Sequence, residues 1–394
     1  MIEANDRLNL LLALRNCICE TKLTKKLEIN IKLARRCSVS SMLYPVIDYV
    51  DEESRRVIVS SAELSVNRFY KMSYIARFLI NLLWSNGIGV ILIKGPATNS
   101  YYPIPEYRTF GDVDLLLCNE EDYERADNIF RSHGISMTDK QDSHHHTSYM
   151  YDGVCIELHR KVVRAFADRE VNLRIDNLFM LDEDEICHKT ILGCEYPVLS
   201  ADLELLYMTL HMIEHLCNAG FGIKLLCDYT VALNGNEAGD TISKYRKYTE
   251  ELGLTTFICR MADICVAYLG LSESVYTRLT GKSANTETIR LDSSTDELLD
   301  EIFDTGLFGG DNSNRIVSPS EGGVAGLIKE FHHQMKENYP KASGVVIIWP
   351  ALWMSTLIIF LRNNRRVRST SIMKVLREAN RRGKIIRQLK LWKG

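Results

Sequence analysis

The chain has 394 residues, 46% hydrophobic and 25% charged, which is ordinary for a soluble globular protein and too long for one small core. Its eleven cysteines form no C-x-x-C pair, and this odd, unpatterned set argues for reduced thiols in a cytosolic protein. The net charge of −3 hides an asymmetry: residues 362–394 hold 12 Lys and Arg against Glu378 alone, a net +11, while the remainder has 36 basic and 50 acidic residues, a net −14.

In chain order, residues 1–85 read as an N-terminal helical region, with no basic leader of a secretory signal at the start. The rhythm is strongest from Ala62 to Trp84, where Phe69, Met72, Ile75, Phe78 and Leu82 recur at steps of three and four. Gly87 and Gly89 break it, and residues 86–200 change period. Val90-Ile91-Leu92-Ile93 reads as a buried strand. Lys94-Gly95-Pro96 then suits a helix start with proline at its first position. Asp112 to Leu117 reads as a second strand, and Tyr123, Ala126, Ile129 and Phe130 mark one face of a helix. The Asp152-Gly153 turn joins Ser148–Tyr151 to Val154–His159 as a hairpin.

Helical rhythm returns over residues 201–280, a region expected to complete a cleft. Residues 281–323, rich in Ser, Thr, Asn, Gly and Asp, read as a polar loop or insertion. Residues 324–394 read as apolar and basic C-terminal helices. Within them, Gly344 to Phe360 is a run of 17 uncharged residues interrupted by Pro350, at the bottom of the membrane-spanning range. The basic tail leaves three readings open: contact with an anionic membrane surface aided by Trp349, Trp353 and Trp392, nucleic-acid phosphates, or packing on the acidic body.

The chemistry concentrates between Lys94 and His159. Asp112 and Asp114 stand two apart on a strand, so both carboxylates point to one face. They repel each other, and a hard divalent cation such as Mg²⁺, with Mn²⁺ as a substitute, is their simplest partner. The plain alternative is a pair of solvated aspartates on an edge strand. Glu157 shares its strand face with Cys155 and His159, opposite Val154, Ile156 and Leu158. There it can add a third metal ligand or accept a proton, or it can be exposed on a ribbon. Lys94 and Gly95, at the mouth of a helix, suit a phosphate. Arg108 suits a phosphate or a pairing acid.

His211 and His215 lie one helical turn apart, with Lys224 and Asp228 following. They read as a polar face of the cleft, a satisfied core network, or a metal site. Their H-x-x-E-H order lacks the metalloprotease arrangement. His144-His145-His146 reads as a loop near the substrate or a solvated one.

The run ILIKGPATNSYYPIPEYRTFGDVDLLL, followed by VCIELHRKV and LYMTLHMIEHLCNAGFGIKLLCDYTVAL, resembles a bacterial family of uncharacterised nucleotidyltransferases in the polymerase-β-like superfamily. The resemblance covers roughly residues 30–235. It implies an α+β fold, a small mixed β-sheet core flanked by N-terminal and C-terminal helical regions. It also implies metal-dependent transfer of a nucleoside monophosphate from a nucleoside triphosphate, ATP or another, to an acceptor hydroxyl. Asp112, Asp114 and Glu157 would be catalytic and metal-binding, and Lys94, Gly95 and Arg108 nucleotide-binding. His159, His211, His215, Lys224 and Asp228 would be cleft residues. The superfamily's usual Gly-Ser turn is replaced by Lys94-Gly95-Pro96, which implies that Lys94 takes the triphosphate contact. The acceptor would be a small molecule or a sugar-type intermediate of surface-polysaccharide synthesis. RNA modification and a non-catalytic scaffold are the other readings.

Overall fold

The computed structural model describes residues 4–138, 145–166, 168–181, 186–218, 220–283, 291–305, 323–339, 342–363 and 372–393. The chain opens with helices α1 (Ala4–Ile18) and α2 (Ile31–Arg36), 3₁₀ turns over Ser41–Tyr49, and the long α3 (Glu52–Trp84). The Asp51 carboxylate starts α3 by accepting the Ser54 N–H at 2.9 Å. Phe69, Met72, Ile75, Leu79 and Leu83 form its buried stripe.

The central region runs β1 (Val90–Leu92), α4 (Pro96–Asn99), β2 (Asp112–Leu117), α5 (Tyr123–Ser132), β3 (Ser136–Met137), β4 (His146–Tyr151) and β5 (Val154–His159). It closes with α6 (Arg169–Leu178), β6 (Cys187–Ile191) and β7 (Cys194–Val198). The seven strands form one mixed sheet in the order β3-β4-β5-β2-β1-β7-β6. The pairs β2–β5 and β1–β7 are parallel and the others antiparallel. Asp152 and Gly153, at φ 47° and 72°, make the left-handed two-residue turn that sets the β4–β5 register.

The hairpin β6–β7 has no counterpart in the sequence reading. Most of β6 is exposed, so it lacks the alternation that marks a half-buried strand.

The two sheet faces bury different partners. Val113 and Leu115 on β2, with Ile156 and Leu158 on β5, pack against the α3 stripe. Ile91 and Leu116 turn to the other face. That face meets α7 (Ala201–Asn218) and α8 (Ile223–Gly235), followed by α9 (Thr241–Glu251), α10 (Thr255–Ile264) and α11 (Glu273–Thr280). The fold is thus α+β, a small mixed sheet with helical flanks.

The C-terminal part corrects two expectations. Residues 293–305, expected within a polar loop, form helix α12 (Ser293–Thr305). Leu298, Leu299, Ile302 and Phe303 are buried on one stripe, so the acid-rich composition masks an amphipathic period. The rest of that expected loop, 284–290 and 306–322, lies outside the described residues. After α13 (Gly323–Asn338), Pro350 does not interrupt the apolar run. It sits in the first turn of α14 (Trp349–Asn363), where a missing N–H costs nothing.

Helix α15 (Ile372–Gln388) returns to the body. Ile385 and Ile386 are buried, Arg382 donates to Glu301 at 2.8 Å, and Lys384 reaches Glu297 at 3.0 Å. Arg381, Arg382 and Lys384 of the basic tail therefore pair with acids of α12, and Trp392 packs on Phe166 at 4.7 Å. No helix among the described residues is long and apolar enough to cross a membrane.

Candidate active site

Strand β2 and the parallel strand β5 place Asp114 directly beside Glu157 and Asp112 beside Cys155. Parallel neighbours in register point to the same face, so the alternation of each strand converges three carboxylates. The ligand atoms of Asp112, Asp114 and Glu157 all lie within 4.8 Å of one another. They line a cavity of about 260 Å³ between the sheet and α7–α8.

Asp114 is fully buried. Its Oδ1 receives Lys94 Nζ at 3.1 Å and lies 3.1 Å from His159 Nε2, while Oδ2 has no hydrogen-bond partner. Burial alone would raise its pKa, but Lys94 and His159 hold it below the ordinary carboxylate range. Asp112 goes the other way. The neighbouring Asp114 charge, reinforced by burial, pushes it up to about 7. Burial would raise Glu157, but the His159 hydrogen bond and the His146 and His159 imidazoles together hold it below its ordinary value. Among the described residues, Asp114 Oδ2 is thus left without a hydrogen-bond donor while two further acids stand beside it. A divalent cation fits this donor set: Asp112, Asp114 and Glu157 offer the hard oxygens such an ion prefers.

Lys94 leaves β1 toward the cavity, 5.6 Å above the Tyr207 ring. Gly95 follows at φ 60°, a conformation costly for other residues, and an added Cβ would meet the Phe110 ring at 3.0 Å. The helix it opens, α4, has only four residues and begins with proline. The expected helix-terminus anion site is therefore reduced to little more than Lys94 and local backbone.

Arg108 lines the cavity as well, engaged by an acid. Its guanidinium is buried and forked on Asp228, Nε to Oδ1 at 2.8 Å and Nη2 to Oδ2 at 2.7 Å. Tyr102 donates to Asp228 at 2.6 Å, and Asn99 Oδ1 accepts from Arg108 at 3.0 Å. Arg108 is thus held by its acid, the other option open to it, because Asp228 offers a planar acceptor in a dry wall.

The remaining expected residues separate. His211, His215 and Lys224 line the cavity, whereas Asp228 belongs to the Arg108 network behind it. The two histidines share a contact of 3.0 Å between their Nε2 atoms. Burial, with Lys94 nearby, lowers both, His215 to about 4. Lys224 donates to the Thr109 carbonyl at 2.8 Å, and burial beside Arg108 brings it down to about 8. His145 and His146 also line the cavity, and His144 lies outside the described residues.

Glu214, Arg164 and Tyr207 are site residues that sequence reasoning passed over. Glu214 and Arg164 line the cavity, and burial raises Glu214 although Arg164 opposes it. The signal was the E of H-x-x-E-H, weighed there only as a protease motif.

Paired aspartates beside a third carboxylate, with a lysine lining the same cavity, suit chemistry of the phosphoryl-transfer kind. The family model described as uncharacterised nucleotidyltransferase matches residues 27–270, and the chain belongs to that family. It is a nucleotidyltransferase, and that class takes a nucleoside triphosphate and generally depends on divalent metal. No curated protein and no solved structure matches the chain significantly.

Proposed function

We propose that the protein transfers a nucleoside monophosphate from a nucleoside triphosphate to the hydroxyl of a small or sugar-type acceptor. The observation that carries this is the under-compensated trio Asp112, Asp114 and Glu157, with Asp114 Oδ2 buried and unpartnered. The acceptor oxygen bonds the α-phosphorus, and the bridging P–O bond to the β-phosphate breaks. Pyrophosphate leaves with the electron pair, and the hydroxyl proton passes to a carboxylate of the trio. Mg²⁺ or Mn²⁺ held by these three would neutralise phosphate charge. Lys94 and the Gly95 backbone meet the triphosphate, while His211, His215 and Lys224 line the far wall and orient the acceptor.

A cavity of about 260 Å³ supports a small acceptor over RNA, as does the engagement of α15 cations by α12. Contact with an anionic membrane, in this reading, belongs to α14 rather than to α15. Val345, Val346, Ile347, Trp353, Met354 and Ile358 are exposed there, beside Arg362 and, in sequence, Arg365, Arg366 and Arg368.

The test incubates the protein with each α-labelled triphosphate, Mg²⁺ or Mn²⁺, and either a cell metabolite extract or total RNA. Label in a small product supports the proposal. Label in RNA alone overturns the acceptor, and no label with folded protein favours a retained scaffold.

A further inference from the structure

Beside the carboxylate trio stands a second group of donors. In the antiparallel β4–β5 pair His146 lies opposite His159, and Glu157 sits two residues along on the same face. His159 Nε2 is 3.4 Å from Glu157 Oε2, and His146 Nε2 is 3.7 Å from Glu157 Oε1. One ligand atom from each of the three lies within 4.8 Å of the others. The edge of a tetrahedron of donors with metal bonds near 2.1 Å is about 3.4 Å, so the spacing is that of ligands around one ion.

The surroundings also suit a metal. His146 Nδ1 lies 2.7 Å from His145 Nε2, the outer hydrogen bond that fixes a ligating imidazole and turns its Nε2 to the ion. His159 is buried, and its polar contacts to Asp114 and Glu157 run through Nε2. Asp114 Oδ1, 3.1 Å from that Nε2, is available as a fourth donor.

We infer that His146, His159 and Glu157 form a second metal position in this pocket, one that takes a first-row transition dication such as Zn²⁺ or Co²⁺ in preference to Mg²⁺. Imidazole nitrogen favours those ions, whereas magnesium favours oxygen and keeps its water. The inference shares the pocket of the proposed transfer and rests on that reading only for the sharing of Glu157 with the trio.

The test is titration of the metal-depleted full chain with Co²⁺ alone, read by visible absorption and calorimetry, without nucleotide. Co²⁺ should bind with a spectrum of mixed nitrogen and oxygen donors, be displaced by Zn²⁺, and resist excess Mg²⁺. His146→Ala, at a half-buried position, should weaken binding by about tenfold or more and change the spectrum. His159→Gln should do the same. Lys384→Ala, on α15 and outside the pocket, should leave both as they were. An unchanged spectrum in folded His146→Ala and His159→Gln overturns the inference, as does Co²⁺ binding lost only in Asp112→Asn. If nucleotidyl transfer fails while the cobalt result holds, the transfer reading falls and this position stands.

Discussion

Two buried ionic groups meet at one pocket and are built in opposite ways. Asp228 accepts from Tyr102 and from two nitrogens of Arg108, and Arg108 is further held by Asn99. Asp112 and Asp114 share a strand face with Glu157 nearby, and Asp114 keeps an oxygen with no partner. Each group has been taken out of water at a cost. The first recovers it inside the protein, and the second leaves a buried carboxylate oxygen without a donor among the described residues. A satisfied buried charge therefore marks structure here, while unsatisfied like charges mark the site.

The contrast can be broken most sharply with Asp112→Asn and Asp114→Asn together. Transfer should fall by more than about a thousandfold, the several kcal/mol that metal-assisted charge stabilisation supplies. Mg²⁺-dependent triphosphate binding should vanish in calorimetry on the folded double variant. A folded double variant that still binds would end the assignment. Asp228→Ala should do the reverse. Stranding Arg108 should lower unfolding free energy by about 3–5 kcal/mol in urea titrations, with the specific activity of the folded fraction retained. Glu157→Gln should cost about a hundredfold in transfer, the scale of losing a proton acceptor, in the folded fraction.

The two groups should also respond to pH with opposite signs in chelator-treated protein. Asp228 is held below its ordinary value, since Arg108 outweighs burial. Its contribution is complete above the unfolded carboxylate value near 3.8 and is lost as pH falls through the folded one. Asp112 is raised from 3.8 to about 7, so the folded state binds the extra proton in that window. Stability from that group should decline as pH rises across it. Melting curves of Asp112→Asn should lack this decline, and those of Asp228→Asn should lose part of the acid limb.

The smallest effects concern the two C-terminal helices, which repeat the contrast in apolar and basic form. Lys384→Ala in α15 removes an exposed pair with Glu297 and should change stability by less than about 1 kcal/mol without altering vesicle binding. Ile347→Asp with Ile358→Asp, on the exposed face around α14, should weaken low-salt binding to phosphatidylserine vesicles while leaving melting nearly unchanged. Failure of the parent chain to bind such vesicles would remove the membrane contact.

Alternation alone carried much of the site. It put Asp112 with Asp114 and Glu157 with His159, and the Asp152-Gly153 turn fixed which face of β5 held the acid. The helical period likewise marked α3 and the α7–α8 region. These are local properties, written in residues two to four apart. The sequence could not say that β5 lies parallel beside β2, because β3 and β4 intervene and pairing is a contact between distant segments. Nor could it say that Arg108 meets an acid 120 positions later, or that α15 settles on the acids of α12. Which charge is paired and which is left open is a matter of the partner it meets in space, so the fold alone separated the Arg108–Asp228 pair from the converging carboxylates of Asp112, Asp114 and Glu157.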